Sequence, residues 1–376
     1  MKIPFNKPLV TGEEGEYLNQ AIKNGKFSGG GEFTQKCSEI LEQKTGCLKA
    51  IMTPSCTAAL EMASLLCNLQ PGDEVIMPSY TFVTTASAFA LRGVEIVWCE
   101  IRADTKNIDE TRIETLITPR TKAVVVVHYA GVPCEMDTIK NICRRHNLFL
   151  VEDAAQAIGC FYKGEPLGKF GDLATLSFHE TKNLQCGEGG ALLVNNPEMV
   201  ERAQVLRDKG TNRIHFNCGI VDKYTWVDVG SSFLMSELQA AFLYPQFLKL
   251  EEINRNRLDT YRLYYHLLAD QLPPARLPMI PPGITHNGHM FYFLTESQQQ
   301  RKNLIKFLDK NGIMVVFHYI PLHRAPFWAG KYDDISLPVT DQVSNTLLRL
   351  PLYYGMEQGE VEYIAIKINH FYQAAV

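Results

Sequence analysis

A short apolar stretch that ends on two carboxylates contains the first residues that could carry out chemistry. The run NLFLVE, residues 147–152, is typical of a buried strand, and Asp153 follows it where a buried charge needs a partner. Gln156 comes three residues later. Lys182 lies twenty-nine residues after Asp153, between Ser177 and the glycines at 187, 189 and 190. This order of an acid, an amide, a lysine and a glycine-rich turn indicates a single binding site.

These residue types suit the chemistry of pyridoxal phosphate. That cofactor withdraws electrons only while its ring nitrogen stays protonated, and a buried carboxylate such as Asp153 can hold the proton. The amine of Lys182 can condense with the cofactor aldehyde and later shuttle a proton between carbon atoms. Gln156 can hydrogen-bond the phenolic oxygen of the ring. Taken alone, each residue has an ordinary alternative role, as a turn residue, a helix cap or a solvated surface charge.

Three of these segments resemble a known enzyme family. EDAAQ, SFHETKN and GEGGAL are similar to the sugar aminotransferases of the DegT type, a branch of the fold-type I pyridoxal phosphate enzymes. The similarity runs from NKP near the start of the chain to HYIPLH near its end. It implies an α/β fold with a large cofactor-binding domain, residues 1–245, built on a mostly parallel seven-stranded sheet. It also implies a smaller α/β domain, residues 246–376.

The resemblance extends to the reaction. PSCTAALEMA, PSYTFV, SFHETKN, DKYTW and FHYIPLH are most similar to family members that form dTDP-4-amino-4,6-dideoxygalactose. L-Glutamate is then the expected amino donor and carbon 4 of dTDP-4-oxo-6-deoxy-D-glucose the acceptor, in a pathway to a cell-surface polysaccharide such as enterobacterial common antigen. Relatives with near-identical cofactor motifs aminate carbon 3 or use UDP or GDP sugars, so these acceptors stay open. A sugar dehydratase would carry histidine in place of Lys182, and a cofactor-binding regulatory protein is a further alternative.

The segment PSCTAAL lies where a strand gives way to a helix. The backbone amides of Ser55, Cys56 and Thr57 would therefore point out of the helix start and form a phosphate cup. Ser55 or Thr57 could also simply cap the helix. The resemblance implies that this turn and Ser177 hold the cofactor phosphate, and that Phe82 stacks on the cofactor ring.

The resemblance also implies an obligate homodimer with two shared active sites. The glycine-rich turn at 28–31 would wall the neighbouring subunit's site through Ser28 and Gly29. The long polar and aromatic connection at 207–228 would reach the partner's cofactor phosphate through Thr225, where relatives often carry Asn. In FHYIPLH, substrate contacts are expected from Tyr319 and His323.

The elements that must position these residues alternate along the chain. Between residues 49 and 152, strands and helices follow one another through short loops, which predicts a mostly parallel sheet covered on both faces. Ligands of such sheets gather at the carboxyl ends of the strands, where the motifs lie. A nicotinamide-binding Rossmann domain is disfavoured because no GxGxxG follows the first strand. Helices are expected at 13–24, 34–46, 197–209, 298–312 and 231–268, the last broken near Pro245, and strands at 289–297 and 313–320.

Composition excludes several other classes of protein. The 376 residues are 46% hydrophobic and 21% charged with a net charge of −4, which gives no electrostatic footprint for nucleic acid. No apolar run is typical of a leader or a membrane span, so we expect a cytoplasmic protein. The ten cysteines form no CxxC pair, and the histidines of FHYIPLH have no carboxylate or cysteine companion. We therefore expect reduced thiols and no metal.

Overall fold

The computed structural model describes residues 2–374, which form three sheets enclosed by helices. The helices are α1 (Glu14–Asn24), α2 (Glu32–Thr45), α3 (Cys56–Leu66), α4 (Val83–Ala90), α5 (Glu110–Ile113), α6 (Met136–His146), α7 (Val200–Arg207), α8 (Arg213–Asn217), α9 (Glu237–Leu248), α10 (Leu250–Ala269), α11 (Gln298–Lys310), α12 (Pro338–Thr346) and α13 (Gln358–Gln373). The strands are β1 (Lys49–Thr53), β2 (Glu74–Pro78), β3 (Glu95–Cys99), β4 (Thr121–Val127), β5 (Phe149–Asp153), β6 (Phe161–Tyr162), β7 (Glu165–Pro166), β8 (Leu173–Ser177), β9 (Gly190–Val194), β10 (Ile284–Thr285), β11 (Phe291–Leu294) and β12 (Leu347–Leu350).

The large sheet has seven strands in the order β1, β9, β8, β5, β4, β2, β3. The five strands from β8 to β3 run parallel, and β9 is antiparallel to both of its neighbours. In the central pair, Val127 of β4 lies opposite Asp153 of β5, so both strands end at the same edge. The predicted α/β fold with a mostly parallel sheet is confirmed.

Two apolar layers cover the faces of this sheet. Along β4, Val124 and Val126 belong to one core cluster and Val125 belongs to the other. Along β5, Leu150 and Val151 are divided between the two clusters in the same way. Because successive side chains of a strand point to opposite faces, the uninterrupted apolar runs of these strands fill both layers. The paired carboxylates at the end of β5 interrupt that pattern.

A separate core lies in the C-terminal part of the chain. The antiparallel pair of β11 and β12 packs with α10, α11 and α13 around Tyr264, Phe291, Leu308 and Ile364. Ile3 from the N-terminal segment joins this core and makes a parallel bridge to Ile313. We refer to the two-stranded pair as the C-terminal sheet.

The structure differs from the sequence prediction at two places in this region. The long helix is interrupted at Lys249, between α9 and α10, while Pro245 lies inside α9. α9 begins only at Glu237, where Ser236 and Gln239 form a capping box. The domain boundary expected between residues 245 and 246 thus falls within α9 and stays a prediction.

The predicted strand at 313–320 is wrong. Its backbone makes single bridges, one from Ile313 to Ile3 and one from Val316 to Arg349, and no continuous ladder. Beyond Val316 the chain leaves β12, and Phe317 and Ile320 are exposed. The apolar run that suggested a strand instead forms an extended connection, which carries His318 and Tyr319 towards the large sheet.

Candidate active site

A cavity of about 540 Å³ lies at the carboxyl ends of the parallel strands. β5 ends there on Asp153 and β8 on Ser177, and the start of α3 forms another wall. The connection after Val316 covers the opposite side. The cavity brings together these residues predicted from the sequence: Ser55, Cys56, Thr57, Phe82, Asp153, Gln156, Ser177, Lys182 and Tyr319.

The turn before α3 has the form of an anion cup. Ser55 caps the helix by accepting a hydrogen bond from the Ala58 amide at 3.1 Å, so the capping role also holds. The first amides of a helix have no intrahelical partner and carry the positive end of its dipole. Gly190 packs directly on this turn, since a Cβ there would lie 2.4 Å from the Cys56 nitrogen. Burial raises the pKa of the Cys56 thiol to about 12, which keeps it neutral.

Asp153 is nearly buried and keeps part of its carboxylate open to the cavity. Oδ2 accepts a hydrogen bond from Thr85 Oγ1 at 2.7 Å, and Oδ1 accepts one from the Ala155 amide at 3.2 Å. Thr85 is itself in contact with Thr81 through their hydroxyls at 2.8 Å. A carboxylate has about four acceptor positions, so capacity remains for a ligand donor.

Gln156 joins the large sheet to the opposite wall. Its Oε1 accepts from the Ala130 amide at 2.7 Å, and its Nε2 donates to the Tyr319 hydroxyl at 3.1 Å. The Phe82 ring lies 6.4 Å from that of Tyr319 and remains 56% exposed. An exposed aromatic at the mouth of a cavity presents a free face to a flat ligand.

Lys182 extends into the same cavity from the turn that follows β8. Burial is the main cause that lowers the pKa of its ammonium, and the positive charge of Arg349 acts in the same direction. Cys56 and Asp153 partly oppose that shift. Among residues 2–374, no salt bridge joins Lys182 to Asp153. A lysine amine with a lowered pKa is a better nucleophile and proton acceptor at neutral pH.

These groups fit pyridoxal phosphate. The cup at Ser55 to Thr57, with the nearby Ser177, would hold the phosphate, and Asp153 would face the ring nitrogen. Gln156 and Phe82 would contact the ring, and Lys182 supplies the amine for the aldehyde. The open acceptor capacity of Asp153 and the close approach of Gly190 to the cup are both features that a bound cofactor would use.

Ser28 and Gly29 do not line this cavity. Their turn packs against the start of α9, since a Cβ on Gly29 would lie 2.3 Å from the Met235 carbonyl oxygen. The buried Glu237 carboxylate accepts hydrogen bonds from the amides of Gly31, Phe33 and Thr34. The turn is therefore held rigidly, outside the site of its own chain.

Thr225 and His323 are also outside the cavity. Thr225 is exposed, and its amide donates to Asn212 Oδ1 at 2.7 Å. His323 is buried beside the end of β2, where its Nδ1 lies 2.7 Å from the Ser79 hydroxyl. Within its own chain, His323 fastens the 322–324 turn to the large sheet and does not reach the substrate space.

Several residues of the cavity wall were not predicted from the sequence, among them Arg349 of β12 and Phe5, which come from parts of the chain far from Lys182. His318 of the FHYIPLH motif lines the cavity as well. The arginine within the apolar run LLRLPL could have indicated a functional residue, because charged side chains are rarely buried in a strand without a partner. For Phe5, no comparable signal exists in the sequence.

His289 also lines the cavity, and its tautomer follows from its neighbours. Asn183 donates from Nδ2 to Asn254 Oδ1 at 2.9 Å and to the Asn287 carbonyl at 3.0 Å. Its Oδ1 therefore faces His289 Nδ1 at 3.0 Å, and Nδ1 must carry the proton. Burial, helped by the charge of Lys182, places the pKa of His289 well below its usual value. The ring is thus neutral, with Nε2 as an acceptor.

Within residues 2–374, no cluster of three or more potential metal ligands occurs, and the ten cysteines are free thiols. None of the helices in this range is long and apolar enough to cross a membrane.

Comparison with known proteins assigns the family. Residues 8–369 match the DegT/DnrJ/EryC1/StrS aminotransferase family. The uncharacterised protein MJ1066 of Methanocaldococcus jannaschii is 33% identical over 367 residues, which cover 96% of this chain and 95% of that protein. The structure of DesV from S. venezuelae has a TM-score of 0.90 at 30% identity and covers 98% of both chains. The aminotransferase TlmJ from Streptoalloteichus hindustanus has a TM-score of 0.90 at 27% identity and covers 99% of both. The chain therefore belongs to the DegT/DnrJ/EryC1/StrS family and is a pyridoxal phosphate-dependent sugar aminotransferase.

Proposed function

We propose that this enzyme transfers the amino group of L-glutamate to carbon 4 of dTDP-4-oxo-6-deoxy-D-glucose, giving dTDP-4-amino-4,6-dideoxy-D-galactose. The reaction class is supported by a lysine amine of lowered pKa and a buried carboxylate in one cavity, in a chain of the sugar aminotransferase family. The choice of acceptor is supported by the segments around Phe82, Lys182, Thr225 and Tyr319, whose sequences resemble enzymes with that product.

Each residue then has a defined task. When bound, pyridoxal phosphate supplies an electron sink that carries the amino group from donor to acceptor. Lys182 Nζ takes the proton from the donor carbon and returns it to the acceptor carbon. The Asp153 carboxylate, oriented by Thr85, holds a proton at the ring nitrogen. The amides at Ser55 to Thr57 and the Ser177 hydroxyl fix the phosphate and so set the position of the ring.

The test is to supply the holoenzyme and L-glutamate with a panel of nucleotide keto-sugars and to determine the product stereochemistry by NMR. We expect the axial carbon-4 amine from the dTDP sugar. Preference for a 3-keto sugar or a UDP or GDP sugar would overturn this acceptor and leave the enzyme class intact. Lys182→Ala should abolish turnover, whereas Lys122→Ala, at an exposed position of β4, should retain it. Full activity of Lys182→Ala would overturn the catalytic assignment.

We also infer that the working unit is a homodimer with shared sites. Several apolar side chains of the 207–228 connection and its end face solvent, with Trp226 77% exposed and Ile220 69% exposed. Apolar surface of this kind is typical of an interface. Thr225 lies in this connection, and Ser28 and Gly29 lie outside the cavity of their own chain. Contacts from all three to a cofactor or substrate would therefore be made in the neighbouring subunit's site.

Subunit mixing tests this arrangement. Lys182→Ala removes the catalytic amine, and Thr225→Glu should place a negative charge near the partner's cofactor phosphate. Each variant alone should be inactive, and a one-to-one mixture after subunit exchange should recover up to about a quarter of wild-type activity, because half of the dimers would contain one native site. No recovery despite demonstrated exchange would contradict shared sites.

A further inference from the structure

His289 presents an unused hydrogen-bond acceptor to the catalytic cavity. The residue is only 5% exposed and lines the cavity that contains Lys182. Its Nδ1 carries the proton and donates to Asn183 Oδ1, so its Nε2 is the acceptor of a neutral ring. No hydrogen bond within residues 2–374 involves this Nε2. An acceptor held in a buried residue without a partner calls for a donor from a ligand or from a mobile side chain.

The backbone of His289 is held on both sides, which fixes the direction of the ring. The His289 amide donates to Asn287 Oδ1 at 3.0 Å, and Arg257 Nη2 donates to the His289 carbonyl at 2.7 Å. Gly288 packs closely on α10, since a Cβ there would lie 2.8 Å from the Arg257 carbonyl carbon. Together with the ring contact to Asn183, these bonds leave Nε2 little freedom to turn away from the cavity.

Lys182 is the donor within the chain that this acceptor can serve. Asn183, which holds the His289 ring at 3.0 Å, follows Lys182 directly in the chain. The charge of Lys182 is the largest cause after burial that lowers the pKa of His289, so the ammonium and the ring are close. Within residues 2–374, no hydrogen bond and no salt bridge involves Lys182 Nζ. Donor and acceptor are therefore both unpartnered in one cavity.

Other acceptors of the cavity wall have partners of their own. His318 Nε2 accepts from Arg349 Nη1, and the Tyr319 hydroxyl accepts from a glutamine amide at 3.1 Å. Asp153 is assigned to the cofactor ring nitrogen. Among these ring and carboxylate acceptors, His289 Nε2 is the one that stays free for the lysine amine.

A neutral acceptor suits a lysine that must both take and release a proton. Once Lys182 has taken a proton from carbon, its ammonium is a cation in a buried cavity and is stabilised by a hydrogen-bond acceptor. A carboxylate at this place would pair with the ammonium and raise its pKa, which would slow release of the proton. The imidazole of His289 is too weak a base to take the proton itself, because its pKa lies well below the usual value.

We propose that His289 Nε2 accepts a hydrogen bond from the Lys182 ammonium and so positions the proton that Lys182 carries in each half-reaction. The proton passes between carbon and Nζ, and no atom of His289 gains or loses one. His289 is then a positioning residue that acts through Lys182. The proposal rests on the proposed function only in taking Lys182 as the proton carrier, and it holds for any keto-sugar acceptor.

Two substitutions separate the roles of the two ring nitrogens. Asparagine places an amide near the Nδ1 position, so His289→Asn keeps a donor to Asn183 and loses the acceptor in the cavity. Glutamine reaches the Nε2 position, so His289→Gln keeps an acceptor oxygen there and loses the donor to Asn183. The asparagine variant should therefore react more slowly, and the glutamine variant should have the lower Tm.

Single-turnover kinetics measure the effect on each half-reaction. The donor half is followed by mixing the holoenzyme with L-glutamate and recording cofactor absorbance. The sugar half starts from the aminated holoenzyme and the keto-sugar that the enzyme turns over. His289→Asn should lower the maximal rate of both halves roughly 10- to 100-fold, because the proton carrier loses its position. The half-saturating concentrations of both substrates should change less than about threefold.

His289→Gln should retain at least about a third of the wild-type rate in both halves, because its side-chain oxygen replaces Nε2 as the acceptor. Slowing of the sugar half alone would show that His289 contacts the acceptor sugar instead. Equal rates in the asparagine and glutamine variants would show that Nε2 has no special part. Either result would overturn the proposal.

His286 offers a matched control in the same turn. Its ring centroid lies 4.5 Å from that of Tyr261, and burial lowers its pKa to about 4, so it too is neutral. It lines a separate cavity, together with Leu41 and Leu250. His286→Asn should leave the maximal rates of both halves within about threefold of wild type, since its ring is outside the catalytic cavity.

Nitrogen NMR tests the contact without turnover and without a His289 variant. In the aminated holoenzyme the Lys182 amine is not joined to the cofactor and is free to donate. Protein labelled with 15N-histidine should contain a ring with a protonated Nδ1 and an Nε2 that accepts a hydrogen bond. Lys182→Ala should move that Nε2 signal downfield, because the donor is gone. If no unprotonated Nε2 signal moves, the proposal is overturned, even where the His289 variants do not fold.

The two proposals fail in different ways. Full activity of Lys182→Ala would remove the proton carrier and with it the role of His289. Wild-type rates in His289→Asn, with Lys182→Ala inactive, would overturn only the role of His289 and leave the proposed reaction intact.

Discussion

The two carboxylates at the end of β5 lie side by side in the chain and in very different surroundings. Glu152 is fully buried and accepts hydrogen bonds at both oxygens, from the amides of Gly168, Phe170 and Gly171. His128 Nε2 lies 3.0 Å from the same carboxylate, and its Nδ1 accepts from the Cys134 amide, so Nε2 is the donor. Asp153 has only two internal hydrogen bonds and opens into the cavity.

The difference shows how one strand end serves both structure and chemistry. Successive side chains of β5 point to opposite faces of the sheet, so Glu152 and Asp153 cannot share surroundings. A saturated carboxylate fastens the 168–171 turn beneath the strand end and has little acceptor capacity left for a ligand. A carboxylate with few internal partners keeps capacity for one. Both carboxylates are buried. They differ in the number of internal hydrogen bonds that each accepts, and this number distinguishes the structural Glu152 from the functional Asp153.

Among the substitutions that test this comparison, Asp153→Asn should cause the largest loss of activity. The amide has nearly the same shape but no charge with which to hold a proton at the ring nitrogen. We expect kcat to fall roughly 100- to 10,000-fold, the range for loss of a group that controls proton placement. The free energy of unfolding should change by less than about 1 kcal/mol, because few internal bonds depend on the charge. Steady-state assays and thermal melts of the same preparation measure both quantities.

Near-normal kcat in Asp153→Asn would show that the charge at this position is not needed. Severe unfolding of this variant would show that Asp153, like Glu152, is a structural acid. Either result would remove the contrast between the two carboxylates.

Glu152→Gln should have the opposite effect, with a loss of stability and a nearly unchanged kcat. One oxygen becomes an NH2 group that faces an amide or imidazole donor, and at least one buried hydrogen bond becomes a repulsive contact. The loss should be about 3 kcal/mol in the free energy of unfolding, with a lower Tm. At a temperature where the variant is folded, kcat should remain within about threefold of wild type. Differential scanning calorimetry and the standard assay provide the measurements.

Glu198→Gln, at an exposed position, is the control and should leave Tm unchanged. If Glu152→Gln lost activity as completely as Asp153→Asn while keeping its Tm, the division between a structural and a functional acid would be wrong.

The sequence predicted one wall of the site far better than the other. Asp153, Ser177 and Lys182 lie within thirty residues on strand ends and turns of one parallel sheet, so local pattern and topology bring them together. Residue chemistry predicted the roles of Asp153 and Lys182, and the resemblance supplied the role of Ser177. The alternation of a strand predicts that the two acids diverge, but it does not say which face contains the cavity.

The opposite wall depends on packing between distant segments. Arg349 reaches the cavity because β12 pairs with β11 and with Val316, and no local pattern predicts that arrangement. His323 illustrates the same limit, because its motif suggested substrate contact and its fold position pairs it with Ser79. Pairing across hundreds of residues is set by the whole core, which composition and periodicity describe only in part.

Thr85→Val should give the smallest effect and the finest test of how Asp153 is oriented. Valine has the shape of threonine without the hydroxyl that donates to Asp153 Oδ2 at 2.7 Å. Without this bond the carboxylate can rotate away from the cavity, and we expect kcat to fall about 3- to 10-fold, with about 1.5 kcal/mol less stability. Thr85→Ser keeps the hydroxyl and should restore most of kcat, whereas a loss caused by packing would persist. If valine and serine gave the same kcat, the hydroxyl would not orient Asp153, and the open acceptor positions of that carboxylate would be held by the backbone alone.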